Sequence, residues 1–256
     1  MEVATYLEED RVEAGHWWFK GRRRLFGEIL RQCGIGKSDA ILDAGTSSGN
    51  NLRLLRDLGF ENYRGLEMSA EAIAISDRKG LGPVDRGDIC AMPFSEGSFD
   101  FILATDIIEH VDDDDRALSE LRRVLKPGGR CLITVPAFPS LWGHQDIVSH
   151  HKRRYRSAPL LAKVNAAGLR PVTSYHFNYL LFLPIWAARQ VMRTVTSTPR
   201  NENTLNPWPL NLMLGWIFGF DVATAPRLRP PFGVSLLILC ERPQDGRGDG
   251  RSAGGR

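Results

Sequence analysis

Three acidic residues and two glycines stand where a ligand could be bound. Asp43 ends a short apolar run that predicts a buried strand, and Gly45 and Gly49 follow it in a loop. Glu67 and Asp88 stand at the ends of the next two predicted strands. Loops that leave parallel strands lie at the carboxyl edge of a sheet, where doubly wound folds bind ligands. Because glycine lets the backbone approach a ligand closely, this pattern predicts a nucleotide-type site.

The spacing of the glycines separates two kinds of nucleotide site. Residues 45–49 read Gly-Thr-Ser-Ser-Gly, which does not give the G-x-G-x-x-G pattern of a dinucleotide-binding dehydrogenase. The chain instead resembles the class I S-adenosylmethionine-dependent methyltransferases over about residues 10–180. Six ordered fragments carry the resemblance: Leu42–Asn50, Gly65–Ser69, Gly87–Ile89, Met92-Pro-Phe with Ser98-Phe-Asp100, Asp106–His110 and Leu125–Gly129.

The resemblance implies where the cofactor S-adenosylmethionine binds. Asp43 would organise the loop and receive the amino group of the cofactor, while Glu67 would accept both ribose hydroxyls. Asp88 and the backbone of Ile89 would bind adenine. The implied cofactor-binding set is Trp17, Arg22, Asp43, Gly45, Ser47, Gly49, Glu67, Met68, Asp88, Ile89 and Thr105. Ser47 replaces the middle glycine of the family pattern. A serine can be accommodated there if its φ is negative, so we expect an adjusted affinity rather than a loss.

The segment Glu13–Arg24 resembles the opening of a bacterial subgroup of these enzymes, which begins with a His-Trp-Trp-Phe and arginine-rich helix. The resemblance implies a helical lid in which Trp17 or Phe19 covers the adenosyl group. Arg22 would pair with the cofactor carboxylate, as a guanidinium fork suits that group. An amphipathic helix that packs its aromatic side chains on the sheet explains the same residues equally well.

The segment Leu141–Tyr155 resembles a second hallmark of the subgroup and follows the fifth predicted strand, so we expect it to lie over the acceptor site. Gln145 departs from the pattern, since the subgroup usually has His directly before the Asp. A salt bridge at a helix entry would need the same residues, so a structural role stays open. The implied substrate-binding residues are Trp142, His144, Asp146, Arg154 and Tyr155.

Two histidines are the predicted catalytic bases. Methyl transfer is a direct displacement at a sulfonium, so the protein mainly aligns donor and acceptor and shields them from water. A base is needed only for a hydroxyl, a phenol or a carbon acid, and imidazole suits that task near neutral pH. His110 lies just past the fourth predicted strand and His151 lies in the acceptor segment. The acidic run 112–115 is interpreted as a solvated helix N-terminus.

An apolar insertion at residues 178–231 precedes the last predicted strand. It predicts a cap over an apolar, lipid-like acceptor, or a surface that touches a membrane or a partner. A small auxiliary core is the simpler interpretation. The uncharged stretches 171–188 and 203–220 are interrupted by Pro and polar residues, which disfavours a transmembrane span.

Strand and helix signals alternate from residue 40 to about residue 177, which predicts an α/β fold. The expected architecture is a Rossmann-like seven-stranded methyltransferase sheet with helices on both faces. Its predicted parts are an N-terminal helical lid (1–38), the cofactor-binding core (39–177 with 232–243), the insertion (178–231) and a disordered tail (244–256).

The composition of the chain disfavours several classes of function and of binding site. The 256 residues carry a net charge of +3 and are 43% hydrophobic, which fits a packed globule and disfavours nucleic acid as the partner. Four scattered cysteines predict neither a zinc site nor disulfides, and we expect a cytoplasmic protein without a resident metal. The predicted activity is methylation of a small-molecule or lipid-like acceptor. A non-catalytic protein that binds the cofactor, and an enzyme that uses the cofactor for other chemistry, are the alternatives.

Overall fold

A computed structural model describes residues 3–195 and 207–244, and these form one seven-stranded sheet in the order β3-β2-β1-β4-β5-β7-β6. Strands β1 to β5 pair in parallel, whereas β7 runs antiparallel between β5 and β6. The strands are β1 (Ile41–Ala44), β2 (Tyr63–Glu67), β3 (Val84–Arg86), β4 (Phe99–Thr105), β5 (Leu125–Pro136), β6 (Arg170–Phe177) and β7 (Ser235–Glu241).

Helices cover both faces of the sheet. They are α1 (Val3–Val12), α2 (Trp17–Gln32), α3 (Asn50–Asp57), α4 (Ala70–Arg78), α5 (Asp114–Val124), α6 (His144–Val148), α7 (Ser157–Ala166), α8 (Phe182–Val195) and α9 (Trp208–Leu228). Successive strand residues alternate between two cores, so Ile102 packs with α5 and α7, whereas Phe101 and Leu103 pack with α2, α3 and α9. The predicted seven-stranded fold with helices on both faces is confirmed.

Part of the apolar insertion belongs to the core of the sheet. Phe218 of α9 is fully buried and lies against Gly21 of α2, where a Cβ atom would come within 2.1 Å of the Phe218 ring. The Trp18 ring stacks on Phe218 with 5.0 Å between centroids. The N-terminal helix and the insertion therefore pack together on one face, and the glycine permits their close approach.

The predicted element bounds differ from the structure near two glycine-containing segments. We expected Lys126–Gly129 to end a helix, but α5 already ends at Val124 and this segment begins β5. Packing decides this, because Gly129 fits closely against the backbone of Asp100. The last strand begins at Ser235 rather than Phe232. Residues 245–256 of the expected disordered tail lie outside the described residues, and no described helix is long and apolar enough to cross a membrane.

Candidate active site

A cavity of about 410 Å³ lies at the carboxyl edge of the sheet, where β1, β4 and β5 end. This volume is within the range of small-molecule sites. Of the predicted site residues, the cavity is lined by Trp17, Arg22, Gly45, Ser47, Thr105, His110, His151 and Arg154. The insertion also reaches it, through Ile185 and Arg189 of α8 and Leu214 of α9.

The loop after β1 turns on residues with positive φ. Gly45 and Gly49 have φ of 77° and 88° and separate β1 from α3. Ser47 between them has φ of 51°, so the condition under which a serine would fit without strain is not met. A non-glycine residue in this region carries steric strain of roughly 1–2 kcal/mol. The Ser47 N–H donates to Oε2 of Glu67 at 2.9 Å, which helps to hold the strained loop against β2.

Glu67 anchors the loop through its carboxylate. Its Oε1 accepts hydrogen bonds from the backbone N–H groups of Met68 and Ser69, both at 2.9 Å. Together with the bond from Ser47, three backbone donors meet one carboxylate. Oε1 already accepts two of these bonds, so the acceptor capacity that is left, for one hydroxyl, lies on Oε2. Glu67 therefore both shapes the loop and presents an acceptor at the sheet edge.

Asp43 is fully buried and does not line the cavity. It accepts hydrogen bonds from the Thr46 hydroxyl at 2.6 Å and the Asn51 amide at 2.9 Å, and Asn51 also donates to Thr105 at 3.0 Å. Burial raises the pKa of Asp43 to about 6, although the two hydrogen bonds act to lower it. Thr46 and Asn51 line the cavity themselves, so Asp43 acts on the site through them.

The predicted adenine-binding residues lie outside the cavity wall, beyond the end of β2. Asp88 is exposed and its Oδ1 accepts a hydrogen bond from the Cys90 N–H at 2.8 Å. Ile89 is buried and the Met68 side chain is 65% exposed. Gly87 donates its N–H to the Glu67 carbonyl at 3.0 Å, which places this group beside Glu67. They could extend the site along the sheet edge.

Glu13, which is 1% exposed, connects the N-terminal segment to the glycine loop through side-chain contacts. The Ser48 hydroxyl donates to Glu13 Oε2 at 2.9 Å, and Arg53 and Lys79 form ion pairs with Oε1 at 3.1 and 3.0 Å. Burying this carboxylate is tolerable because charged donors surround it. We did not predict Glu13, and only its place before the aromatic motif marked it in the sequence.

Arg22 of α2 forms a salt bridge with Asp106, with 2.6 Å between Nη2 and Oδ2. Asp106 directly follows β4. Its φ of 53° is positive, so the backbone leaves strand geometry at this residue. Arg22 also lies over the Trp18 and Phe26 rings, at 5.6 and 5.1 Å from their centroids. The two interpretations of α2 are therefore compatible. The helix is amphipathic with packed aromatic residues, and it also forms a wall of the site.

Asp146 is the centre of the acceptor segment and is fully buried. Its Oδ1 accepts hydrogen bonds from Nδ1 of His151 and Nε of Arg154, both at 2.8 Å, and its Oδ2 accepts from the Gly143 N–H at 2.7 Å. These donors outweigh burial and lower the pKa of Asp146 to about 2. The salt bridge that we considered as the structural alternative is present, and it holds His151 and Arg154 at the cavity wall.

Of the five predicted acceptor residues only Arg154 lines the cavity, whereas Asp146, Tyr155, Trp142 and His144 do not. Tyr155 is buried, and its hydroxyl donates to Asp114 at 2.9 Å beneath α5. Burial and the Asp114 charge raise the pKa of Tyr155. Trp142 directly precedes Gly143, the N-cap of α6, and His144 is the first residue of that helix. Asp114, from the run interpreted as a solvated helix N-terminus, is itself buried between Tyr155 and Lys163.

His110, His151 and Glu109 meet at the acceptor end of the cavity. The two imidazole rings lie 4.8 Å apart and nearly perpendicular. Burial and the charge of His151 lower the pKa of His110 to about 3. Glu109 is fully buried, and burial with the charge of Asp106 raises its pKa. These three side chains could hold a metal ion, although the sequence pattern predicted none.

The chain matches known methyltransferases in sequence. A model of the methyltransferase domain matches residues 42–133. A protein named as a methyltransferase from Encephalitozoon cuniculi is 33% identical over 142 residues, which are 54% of this chain and 60% of that protein. A Mycolicibacterium smegmatis protein named "Probable S-adenosylmethionine-dependent methyltransferase" is 25% identical over 201 residues, 74% of this chain and 77% of that one.

A solved structure extends the likeness to most of the chain. A methyltransferase solved in complex with a methyltransferase activator from Haloferax volcanii covers 96% of this chain and 97% of its own, with a TM-score of 0.63 and 20% identity. At this identity the likeness concerns the fold. The likeness in fold therefore extends well beyond residues 42–133.

Proposed function

Because the methyltransferase-domain model matches residues 42–133 and a relative named as S-adenosylmethionine-dependent is similar over 201 residues, we propose that the chain is a class I S-adenosylmethionine-dependent methyltransferase. We propose further that it methylates a nucleophilic atom of an apolar, lipid-like acceptor. The observation that carries this proposal is one cavity that extends from the loop 45–48 to His110 and His151. The first end is lined by Gly45 and Ser47 with Trp17 and Arg22, which we assign to the cofactor, and the second has side chains suited to an acceptor. A donor and an acceptor bound in it would be adjacent and shielded from bulk water.

The residues present fit the cofactor S-adenosylmethionine. Trp17 Nε1 and Arg22 Nε are buried donors with no hydrogen-bond partner among the described residues, and both residues line the cavity. Buried donors of this kind are normally satisfied, and the carboxylate of the cofactor would do so. We assign Arg22 and Trp17 to the amino-acid end of the cofactor. Thr46 and Asn51, positioned by Asp43, complete that end.

The nucleoside end of the cofactor would lie along the β2 side of the loop. Glu67 Oε2 would accept one ribose hydroxyl, rather than the expected two, with the acceptor capacity that its three backbone donors leave. Asp88, with Met68 and Ile89 beside it, would bind adenine. Bound S-adenosylmethionine would supply a methyl group on a positively charged sulfur. An acceptor nucleophile would bond to the methyl carbon as the bond from that carbon to the sulfur breaks.

The chain's own residues would prepare the acceptor. Asp146 accepts from Nδ1 of His151, so the tautomer with its proton on Nδ1 leaves Nε2 free of a proton. That nitrogen can take a proton from an acceptor hydroxyl. His110 is the weaker of the two predicted bases, because a pKa of about 3 gives it little affinity for a proton.

The apolar character of the acceptor is inferred from α8 and α9. Their exposed apolar side chains include Leu183, Trp186, Val191, Trp208, Met213, Trp216 and Phe220, with exposed fractions from 40% to 76%. The same two helices supply Ile185 and Leu214 to the cavity wall. Two helices that carry exposed apolar side chains and also line the cavity suit a lipid-like molecule taken from a membrane surface.

The test is a titration followed by an acceptor assay. We expect S-adenosylmethionine and S-adenosylhomocysteine to bind with micromolar affinity in calorimetry, Glu67→Ala to weaken both, and NAD not to bind. Methyl-labelled S-adenosylmethionine is then incubated with phenolic, carboxylic and isoprenoid lipids. Label in a lipid product that is lost in His151→Asn supports the proposal. Binding without product from any class would instead favour a non-catalytic cofactor-binding protein.

A further inference from the structure

The buried carboxylate of Glu109 has no role in the proposed methyl-transfer site. The residue is 0% exposed, lines the cavity, and neither of its carboxylate oxygens has a hydrogen-bond partner among the described residues. A buried carboxylate without any donor is costly, and native proteins rarely leave one. Something that is attracted to oxygen ligands would satisfy it.

The imidazoles of His110 and His151 lie close to this carboxylate. One ligand atom from each of Glu109, His110 and His151 can be chosen so that all three lie within 4.8 Å of one another. Ligands around an ion at about 2.1 Å lie roughly 3–4 Å apart, so a small side-chain rotation closes the set. His110 and Glu109 are adjacent on the single 3₁₀ turn Ile108–His110, whereas His151 reaches them from the acceptor segment.

A supporting shell for such an ion is already built. Asp146 accepts a hydrogen bond from Nδ1 of His151, as carboxylates commonly do behind a metal-binding histidine, and this leaves Nε2 to point elsewhere. The nearby guanidinium groups have carboxylate partners of their own: Arg22 pairs with Asp106 at 2.6 Å and Arg154 with Asp146 at 2.8 Å. Their repulsion of a cation is therefore reduced.

We propose that Glu109, His110 and His151 form a binding site for a divalent transition-metal ion in the cavity. Two imidazole nitrogens and one carboxylate oxygen suit zinc, cobalt, manganese or iron better than magnesium or calcium, which prefer oxygen ligands. Three protein ligands leave coordination positions open toward the cavity. The site would bind metal whether or not the chain transfers methyl groups.

The role of the ion, unlike its binding, rests on the proposed function. An acceptor hydroxyl or carboxylate in an open position would be oriented, and a hydroxyl coordinated there would lose its proton more readily. His151 would then act as a ligand instead of a proton acceptor. A metal-loaded enzyme and a metal-free enzyme would therefore use the same imidazole differently.

Cobalt provides a direct probe. Metal-stripped protein is titrated with Co²⁺ in the absence of cofactor and acceptor, and the visible absorption of bound Co²⁺ is recorded, with Zn²⁺ competition to follow. We expect one equivalent to bind with micromolar affinity and Zn²⁺ to displace it. Glu109→Gln and His151→Asn should each weaken binding by at least tenfold.

His150→Asn is the matched control. His150 is adjacent to His151 but exposed, and its φ of 55° is one that asparagine tolerates. We expect this variant to bind Co²⁺ like the wild type. Circular dichroism of the metal-free variants shows whether each folds, and His110→Asn replaces any that does not. Absence of stoichiometric binding, or equal binding by the wild type and the folded ligand variants, would overturn the metal site. Because no methyl transfer is measured, failure of the proposed enzymatic function would be seen separately.

Discussion

The guanidinium of Arg22 lies 2.6 Å from the carboxylate of Asp106, and this salt bridge joins α2 to the end of β4. Both residues line the cavity, although 83 positions separate them in the chain. The contact gives the N-terminal segment a fixed place in the site. A ligand carboxylate would approach the same guanidinium, whose buried Nε is still without a partner among the described residues.

Replacing Arg22 with lysine should weaken the binding of S-adenosylmethionine by about tenfold. A lysine ammonium keeps the charge but cannot present the planar fork that matches a carboxylate. Calorimetric titration measures the change, with Arg24→Lys as the control because Arg24 lies exposed on the same helix. Equal affinities for Arg22→Lys and the wild type would contradict the assignment of Arg22 to the cofactor.

Replacing Ser47 with glycine should raise the stability of the protein. Ser47 has φ of 51°, and glycine adopts such angles without the steric cost that a side chain incurs. We expect a gain of about 0.5–1 kcal/mol in the free energy of unfolding, as at other positions where a side chain is held at positive φ. Denaturant titration of Ser47→Gly and Ser47→Ala tests this, since the alanine keeps the strain and should not stabilise. A loss of stability in Ser47→Gly would show that the serine hydroxyl matters more than the strain.

The stability cost of Asp43 should depend on pH. Its pKa is about 6 in the folded protein, above the ordinary value of 3.8, so the charged form is disfavoured by folding. The stability that Asp43 contributes is therefore fully present below pH 3.8 and is lost as the pH rises through about 6. A difference of this size corresponds to about 3 kcal/mol at most.

Asp43→Asn tests this sign without bound cofactor. The variant removes the charge, and the Thr46 hydroxyl can accept a hydrogen bond where it now donates one. Its unfolding temperature relative to the wild type should rise between pH 4 and pH 8. Asp77→Asn, at an exposed helix position, should show no such trend. A constant difference across this pH range would mean that Asp43 is not held at a raised pKa.

Removing the carboxylate of Asp146 should destabilise the acceptor segment strongly. Asp146→Ala removes the carboxylate that pairs with Arg154, whose side chain is 3% exposed. Breaking a buried pair in this way costs about 3–5 kcal/mol. Asp112→Ala is the control, because its 86% exposed side chain pairs with Lys152 at the surface and should change stability little. Equal effects of the two substitutions in chemical denaturation would be evidence against a central role for Asp146.

Binding to lipid vesicles should depend on α9. Trp216 and Phe220 are 75% and 62% exposed and lie one helical turn apart. Vesicles of phosphatidylcholine and phosphatidylglycerol should sediment the wild type, and the double variant Trp216→Ala with Phe220→Ala should remain in solution. Leu7→Ala, which removes an exposed apolar residue from α1, should sediment normally. Unchanged sedimentation of the double variant would remove the membrane from the proposed function.

Patterns that depend on residues near one another in the chain identified the sheet. The nearly continuous apolar run at Phe99–Ala104 predicted a strand buried on both faces, and it lies in β4 at the centre of the sheet. The glycine spacing at residues 45–49 distinguished the loop from that of a dehydrogenase. Strands and turns of this kind can be identified from the sequence because the alternation of side chains and the residues that form a turn depend on only a few neighbouring positions.

The sequence by itself therefore determined the fold class and the elements that meet at the carboxyl edge. Only the tertiary structure decided that Phe218 packs on Gly21, that Tyr155 faces Asp114, and that Glu109 meets His151. The residues of each pair come from segments far apart in the chain. Their contact depends on how helices settle on a twisted sheet, where burial and close packing are satisfied together rather than by any local pattern.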